Sequence, residues 1–307
     1  MMKIVIPGGT GQIGGVLRRA LTAAGHEVVI VSRSSGVRWD GRTLGVWASE
    51  IDGADVVINL AGRSVSCRYT RENLDEMMRS RVESARVVGE AIARAARPPK
   101  VWLQMSTATI YAHRFDAPND EATGIVGGDE EGVPEYWGFS VEIAKNWEAE
   151  LEKADTPETR KVAMRAAIVM SPDRGGAFDY LSWLVRLGLG GAVAGGRQYV
   201  SWIHDDDFVR AVALLIREPI EGAVNLAAPG PLPQKDFMRE LRKAWRVPVG
   251  LPANRRMAEV GAFAIRSDTE LLLKSRRVVP GRLGEAGFEF RFPNWAEAAQ
   301  NLVERRR

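Results

Sequence analysis

Residues 3–15 read KIVIPGGTGQIGG, a run of mostly β-branched residues that passes directly into a cluster of glycines. The run predicts a buried strand at Lys3–Ile6. The glycines of Gly8–Gly15 predict a tight turn, and the pattern of Val16–Ala24 predicts a helix after it. This stretch therefore predicts a strand, a glycine-rich turn and a helix in immediate succession.

The glycines of this turn recur at every third residue. Such spacing between a strand and a helix permits a tight turn, close approach of the main chain to a pyrophosphate, and close packing of the helix. The free N–H groups at the start of the helix would then face the phosphates. The sequence therefore predicts a dinucleotide site, with candidate contacts at Gly8, Gly11, Gln12, Ile13 and Gly14.

The end of a second predicted strand, His26–Ser32, indicates which dinucleotide is bound. An acidic residue there would accept a hydrogen bond from the ribose 2′-hydroxyl of NAD, but the chain continues with Arg33 and Ser34. The arginine can pair with a 2′-phosphate, and Ser32 and Ser34 can donate hydrogen bonds to it. We therefore expect NADP(H) as the cofactor, the alternative being that Arg33 is a solvated surface residue.

Apolar runs alternate with helical patterns along the first half of the chain. Further strands are predicted at Asp55–Leu60, Val101–Ser106, Lys161–Met170 and Gly222–Ala227, and helices at Asn73–Arg97, Glu142–Ala154, Phe178–Leu189 and Asp206–Arg217. This alternation predicts an α/β fold with a doubly wound parallel sheet of the Rossmann type, covered by helices on both faces.

From Pro229 onward prolines are frequent and helical patches are short, which predicts a smaller, mainly helical C-terminal lobe. We expect residues 1–170 and about 198–228 to form the NADP(H)-binding domain. Residues 171–197 and 229–307 would form the substrate-binding lobe. Ligands of open α/β sheets bind at the carboxyl edge of the sheet, and the cleft is expected there.

Composition excludes several classes of protein. The 307 residues include 42 basic and 39 acidic side chains, giving a net charge of +3 without the clustering expected of a nucleic-acid-binding protein. One cysteine, Cys67, cannot form a disulfide framework or a cysteine-based zinc site, and we expect no metal. No apolar run is long enough to span a membrane, and the N-terminal run is too short for a signal peptide. We therefore expect a cytoplasmic protein that acts on a small molecule, with no nucleic-acid or membrane partner.

Several stretches of the chain resemble the extended short-chain dehydrogenase/reductase superfamily. Within it, the chain is most similar to the atypical YfcH-like predicted nucleoside-diphosphate-sugar epimerases, which carry a C-terminal domain of unknown function. The stretches include GGTGQIG at 8–14, NLAGRSV at 59–65, SRVESAR at 80–86, STATIY at 106–111, SWIHDDD at 201–207 and LLLKSRRVVPGRLGEAGFEFRFP at 271–293. The resemblance implies a Rossmann domain with bound NADP(H), a small substrate lobe and a homodimer formed through two helices.

Further cofactor contacts are expected after the other strands. Leu60, Ala61 and Gly62 supply small residues where the main chain must approach a ligand. The resemblance adds Ser106, Ala167 and Ile168. It also adds Arg81, on the helix that passes the cofactor in this superfamily. Arg81 could bind a phosphate or a substrate carboxylate, or it could form a structural ion pair.

The expected chemistry is incomplete in this chain. The superfamily transfers hydride with a Ser or Thr, a Tyr and a Lys, and the resemblance places Thr107 at the hydroxyl position. Trp137 and Val141 stand where the superfamily has its tyrosine and lysine, and neither can move a proton. Tyr111 and His113 are the remaining candidates for proton transfer, although His113 could equally be a loop residue.

The substrate side also departs from the superfamily. Val200 stands where sugar-nucleotide enzymes carry an arginine that grips the substrate pyrophosphate. Trp137, Tyr199 and Trp202 could line an apolar pocket, or they could pack in the core. We expect an NADP(H)-dependent oxidoreductase that acts on a small carbonyl or hydroxyl compound. The alternatives are an epimerase with transient oxidation and a non-catalytic NADP(H)-binding sensor.

Overall fold

A seven-stranded parallel sheet forms the centre of the molecule in the computed structural model, which describes residues 1–134, 136–257, 259 and 270–307. The strands are β1 (Lys3–Pro7), β2 (Glu27–Ser32), β3 (Val37–Arg38), β4 (Val56–Asn59), β5 (Val101–Thr107), β6 (Arg160–Ala166), β7 (Ile168–Met170), β8 (Tyr199–Val200), β9 (Trp202–His204), β10 (Gly222–Leu226) and β11 (Leu232–Pro233). The main sheet has the order β10-β6-β5-β4-β1-β2-β3, and every pair in it is parallel.

Helices cover both faces of this sheet. The described α-helices are α1 (Gln12–Ala23), α2 (Arg71–Arg94), α3 (Tyr136–Lys153), α4 (Ala177–Arg186), α5 (Asp205–Arg217), α6 (Gln234–Trp245), α7 (Glu270–Leu273), α8 (Gly281–Glu285) and α9 (Trp295–Arg306). Successive residues of β1 point to opposite faces: Ile4 and Ile6 pack with α1 and α5, whereas Val5 packs with α2. The predicted doubly wound parallel sheet is confirmed.

Because all seven strands are parallel, their carboxyl ends meet at one edge of the sheet. The last residues of the central strands are Pro7 in β1, Asn59 in β4, Thr107 in β5 and Ala166 in β6. The segments that follow these residues carry most of the side chains singled out above. The topology therefore gathers them at the edge where open α/β sheets bind ligands.

A second core lies under the helical C-terminal region. It contains Phe178 of α4, Phe237 of α6 and Trp295 of α9, all almost fully buried. Two short sheets, β7-β9 and β11-β8, border this core. Residues 258 and 260–269 of the expected substrate lobe lie outside the described part of the chain.

The single strand predicted at Lys161–Met170 is wrong. β6 ends at Ala166, and β7 pairs with β9 in a separate sheet. The main-chain N–H of Ala167 donates to Leu226, whereas that of Ile168 donates to Ser201. The hydrogen-bond partner thus changes between two adjacent residues, and a continuous apolar run gives no sign of such a change.

Several helix boundaries also differ from the predictions. α1 begins at Gln12, so half of the predicted glycine turn is already helical. α2 ends at Arg94, before the two prolines expected to stop it. α3 begins at Tyr136 rather than Glu142, which places Trp137 and Val141 on a helix. No helix among the described residues is long and apolar enough to cross a bilayer.

We predict that Trp295→Ala destabilises the fold by about 3–5 kcal/mol, the cost of deleting a large aromatic from a packed core. Trp295 stacks on Phe237 with ring centroids 4.0 Å apart, and its indole N–H donates to the Phe237 carbonyl at 2.8 Å. Trp183→Ala, at a side chain that is 53% exposed, is the control and should cost less than about 0.5 kcal/mol. Denaturant unfolding measures both variants, and equal losses would contradict the packing described here.

Candidate functional site

Three glycines let β1, β4 and α1 approach one another more closely than side chains would allow. A Cβ on Gly8 would lie 2.5 Å from the Cα of Ala61, and one on Gly14 would lie 2.3 Å from the carbonyl oxygen of Gly9. A Cβ on Gly9 would also collide with the side chain of Ile30. Gly11 differs, because a Cβ there would meet nothing within 4 Å. The turn is therefore packed on its inner side and open on its outer side.

The first turn of α1 opens onto this outer side. Gly11 is its N-cap and offers no side chain, and no acidic residue lies in the first turn. The free N–H groups of that turn and the positive end of the helix dipole remain available to an anion. Gln12 begins the helix against Gly176, and its buried Nε2 has no hydrogen-bond partner among the described residues. Ile13 packs against the core below. These features fit the pyrophosphate of a dinucleotide.

The segment after β2 carries two arginines, Arg33 and Arg38. Arg33 is exposed, and its side chain makes no hydrogen bond or ion pair within the described residues. Arg38 donates to the main-chain carbonyl of Arg33. The Ser32 hydroxyl is already used, since it donates to the carbonyl of Ser35 and accepts from the N–H of Ser34. Ser32 thus shapes the turn that presents Arg33 rather than offering its own proton to a phosphate.

Arg81 is a cation without a carboxylate partner among the described residues. It donates to the carbonyl oxygens of Met77 and Arg63, at 3.0 Å each, and lies over the ring of Trp147 at 5.0 Å. Burial lowers the pKa of Arg81 to about 10. A Cβ on Gly62 would be 3.2 Å from the Cζ of Arg81, so the Arg81 guanidinium lies directly against the turn after β4. The structural ion pair considered above is therefore not formed by the described residues.

The turn after β4 is shaped by a buried amide. Asn59 accepts a hydrogen bond from the N–H of Ala61 at 3.1 Å and donates to Gln104 at 2.9 Å. The N–H of Leu60 donates to the carbonyl of Pro7 in β1. Leu60 and Ala61 therefore lie beside the glycine turn, and Gly62 follows them against Arg81.

The two hydroxyls at the end of β5 have different environments. Ser106 is buried and donates to the carboxylate of Glu148 on α3 at 2.5 Å. Thr107 is half-buried, and its Oγ1 accepts from the N–H of Thr109 at 3.1 Å. The Thr107 hydroxyl keeps its own proton for a further partner, whereas Ser106 is already committed to the protein interior.

Tyr111 belongs to a buried polar network that sequence reasoning missed. Its hydroxyl donates to Asn225 at 2.9 Å and accepts from Arg165 at 3.0 Å. Arg165 makes a two-pronged ion pair with Glu148 at 2.9 and 2.8 Å. Burial raises the pKa of Tyr111. The proposed role of Tyr111 in proton transfer is therefore not supported by its geometry, because its proton is held inside the protein.

His113 is half-buried between two aromatic rings. Its edge-to-face contacts are with Trp137 and Phe115, with centroids 5.2 and 5.1 Å apart. Nδ1 accepts from the N–H of Ser275 at 2.7 Å, so neutral His113 carries its proton on Nε2. Burial, together with the charge of Lys274, lowers the pKa of His113. Trp137 is buried, and its indole N–H has no acceptor among the described residues.

A second missed group is a charged cluster from the C-terminal segment. Glu270, Lys274 and Arg276 are all buried, and the Glu270 carboxylate lies 3.6 Å from Lys274 and 3.7 Å from Arg276. Ser140 on α3 donates to the same carboxylate at 2.5 Å. Burial lowers the pKa of Lys274 to about 8. The visible signal was KSRR, four polar residues inside an otherwise apolar stretch.

The remaining candidates lie around the second core. Trp202 is fully buried against Trp295 and donates to the Gly230 carbonyl, so it is a core residue and does not line a pocket. Tyr199 is half-buried beneath the guanidinium of Arg277 at 4.6 Å. Two further candidates follow β6: Ala167 packs beside Tyr111, and Ile168 packs against the second core.

The chain is similar in sequence and in structure to several known proteins. Residues 4–128 match the NAD dependent epimerase/dehydratase family, and residues 262–302 match a domain of unknown function, DUF1731. Human epimerase family protein SDR39U1 is 31% identical over 98% of this chain and 100% of its own length. An epimerase family protein of Staphylococcus epidermidis is 28% identical over 99% and 100%. The crystal structure of human SDR39U1 isoform 2 with NADPH has a TM-score of 0.84, 28% identity and 99% coverage of each chain.

Two adjacent glycines test the packing of the turn. Gly14→Ala should destabilise the fold by about 1–3 kcal/mol, because its Cβ would overlap the Gly9 carbonyl. Gly15→Ala should be neutral or stabilising by up to about 1 kcal/mol, since its Cβ would meet only Arg19 at 3.6 Å and alanine favours a helix. Denaturant unfolding measures both, and effects of the same sign would contradict this account.

Proposed function

This chain belongs to the NAD-dependent epimerase/dehydratase family, with the C-terminal domain DUF1731, and we propose that it binds NADP(H) for a hydride transfer. The substrate would be a small carbonyl or hydroxyl compound. The reaction would proceed without the tyrosine–lysine pair of the superfamily. The observation that carries this proposal is the glycine turn, packed inside and open at the start of α1, with an exposed Arg33 beside it.

The preference for NADP(H) rests on charge. Arg33 follows β2 directly and Arg38 pairs with Ser32 from β3, so both lie near the position where an acid would favour NAD. A 2′-phosphate between two guanidinium groups would form charge-assisted hydrogen bonds, which are stronger than neutral ones. The solved relative contains NADPH, which agrees with this preference. In this proposal residues 1–170 and about 198–228 bind the cofactor, and residues 171–197 and 229–307 form the substrate lobe.

Bound NADPH would supply the hydride. Thr107 would orient the carbonyl oxygen of the substrate, because its hydroxyl accepts from Thr109 and can donate its own proton outward. Arg81 would hold an anionic group of the cofactor or the substrate, since the described residues leave its charge unpaired. Tyr111 would not transfer the proton, because its hydroxyl already donates to Asn225.

A non-catalytic NADP(H)-binding sensor is the second candidate. Val141 is fully buried and Trp137 nearly so, and neither side chain can exchange a proton with a substrate. A sensor would bind NADPH and turn over no carbonyl compound. The homodimer implied by the resemblance stays a prediction under either function.

We predict that calorimetry shows tighter binding of NADPH than of NADH. Arg33→Asp should weaken NADPH binding by about tenfold to a hundredfold, because an attractive charge becomes a repulsive one. The same change should alter NADH binding by less than about threefold, since NADH has no 2′-phosphate. Arg94→Asp, an exposed arginine at the end of α2, is the charge-matched control.

Two results would count against this cofactor assignment. Equal losses for NADPH and NADH would show that Arg33 does not contact the 2′-phosphate. Absence of binding to either nucleotide would remove the proposed function altogether.

Thr107→Val tests the redox step itself. A panel of ketones, aldehydes and quinones is screened by NADPH absorbance, and the variant should lose about a hundredfold in kcat on any compound that is reduced. Thr22→Val, at an exposed position of α1, should keep full activity. Unchanged turnover in Thr107→Val would refute the role of this hydroxyl. Binding without turnover across the panel would favour the sensor.

A further inference from the structure

Lys274 lies immediately behind the turn that carries the Thr107 hydroxyl. Its Nζ donates to the carbonyl oxygen of Thr109 at 3.2 Å. The N–H of the same Thr109 donates to Oγ1 of Thr107 at 3.1 Å. One residue therefore joins the ammonium group to the hydroxyl that is proposed to orient the substrate.

The same turn receives a second cation from the C-terminal segment. Arg276 donates through Nε to the hydroxyl of Thr109 at 3.1 Å, and its position is set by the Glu270 carbonyl and carboxylate. Arg276 thus fixes the side chain of Thr109, and Lys274 bonds to its main chain. The C-terminal segment holds this short helical turn from behind with two positive groups.

Lys274 is costly to bury at this position. Its side chain is 1% exposed, and the Glu270 carboxylate 3.6 Å away also faces Arg276 and accepts from Ser140. A buried lysine that shares its counter-ion contributes little to stability, because desolvation offsets the attraction. Leucine or methionine would fill such a space at lower cost, and the presence of a lysine at a ligand-binding edge suggests a chemical use.

The usual source of this charge is missing from α3. Val141, where the resemblance places the lysine of the superfamily, is fully buried and apolar. Lys145, one turn further along α3, is exposed. Among the described residues at the β5 turn, Lys274 is the lysine that hydrogen-bonds to it.

We infer that Lys274 supplies a positive charge from behind the turn that carries Thr107, in place of the lysine that α3 lacks, and acts on the reacting carbonyl through Thr109 and Thr107. This inference rests on the proposed binding of NADP(H). In the reduction the carbonyl carbon accepts hydride and forms the new C–H bond. The oxygen takes the released electron pair and a proton from water, while the Thr107 hydroxyl donates a hydrogen bond to it. The products are the alcohol, the oxidised cofactor and hydroxide, which the solvent neutralises.

Burial moves the pKa of Lys274 into the mildly alkaline range, whereas it moves those of two neighbouring groups away from it. Burial brings the pKa of Lys274 to about 8. The pKa of His113 is lowered by burial and that of Tyr111 is raised by burial, so both move away from this range. Main-chain N–H bonds from His113 and Gly128 lower the pKa of Glu130 in spite of its burial. Within the described part of the chain, Glu270 and Arg276 also face Lys274.

The test compares the two oxidation states of the cofactor, so it requires no substrate. NADP⁺ carries a positive charge on its nicotinamide ring, and NADPH does not. The ammonium charge behind the Thr107 turn weakens the binding of NADP⁺ more than that of NADPH, whereas effects on the shared phosphates cancel in the ratio of the two Kd values. Calorimetry measures both Kd values between about pH 7 and pH 9.5.

The Kd of NADP⁺ divided by that of NADPH should fall about fivefold to tenfold in the wild-type protein as pH rises, because Lys274 loses its charge. In Lys274→Gln the ratio should be low and independent of pH. Lys274→Arg should keep it high throughout, because the guanidinium stays charged. Lys145→Gln, the exposed lysine of α3, should behave as the wild type.

A wild-type ratio that does not change with pH, in a protein that binds NADPH, would overturn the role of Lys274 and leave the proposed function intact. This result needs no variant, so a failure of Lys274→Gln to fold does not affect it. A pH-dependent ratio that persists unchanged in Lys274→Gln would assign the effect to another group and equally refute the inference. Absence of binding to either nucleotide would refute both proposals.

Discussion

The close approach of the glycine turn to β4 and to its own helix is the constraint on which the site depends. Main-chain atoms of Gly8 and Ala61, and of Gly14 and Gly9, lie where any side chain would overlap. This contact brings the start of α1 to the carboxyl edge of the sheet with its N–H groups free. The buried Asn59 amide, paired with Gln104, holds the facing turn in register. The N–H groups that would bind the cofactor are thus positioned by main-chain packing rather than by a charged side chain.

A buried ionic network supports the other half of the same edge. Glu148 on α3 binds both Ser106 of β5 and Arg165 of β6, and Arg165 continues to Tyr111. Each member has its partners within the network, which is the condition for such groups to be tolerated in a protein interior. The network ties α3 to two adjacent strands and fixes the direction in which the segment after β5 leaves the sheet. Thr107 and His113 are carried on that segment.

Sequence patterns predicted the sheet and the cofactor turn because both are local. Alternation of strands with amphipathic helices, and glycines spaced by three, are visible without knowledge of distant contacts. The division of residues 160–170 between two sheets depends on partners near residues 201 and 226, which no local pattern reveals. Tyr111 and Trp202 were predicted to face the site because local patterns do not reveal distant partners. Their burial is decided by Asn225, Arg165 and Trp295, all far away in sequence.

The C-terminal segment adds charged side chains to the site because it packs against the loop that follows β5. Main-chain bonds join Asn119 to Arg277 and Val279, and the N–H of Ser275 donates to the ring of His113. This docking delivers Glu270, Lys274 and Arg276 to the turn after β5, on the side where α3 presents Ser140 and Trp137. Apolar residues on α3 can therefore coexist with a charged site, since the charges arrive from a different element. A search for the superfamily's residues at fixed spacing along one helix would overlook an exchange of this kind.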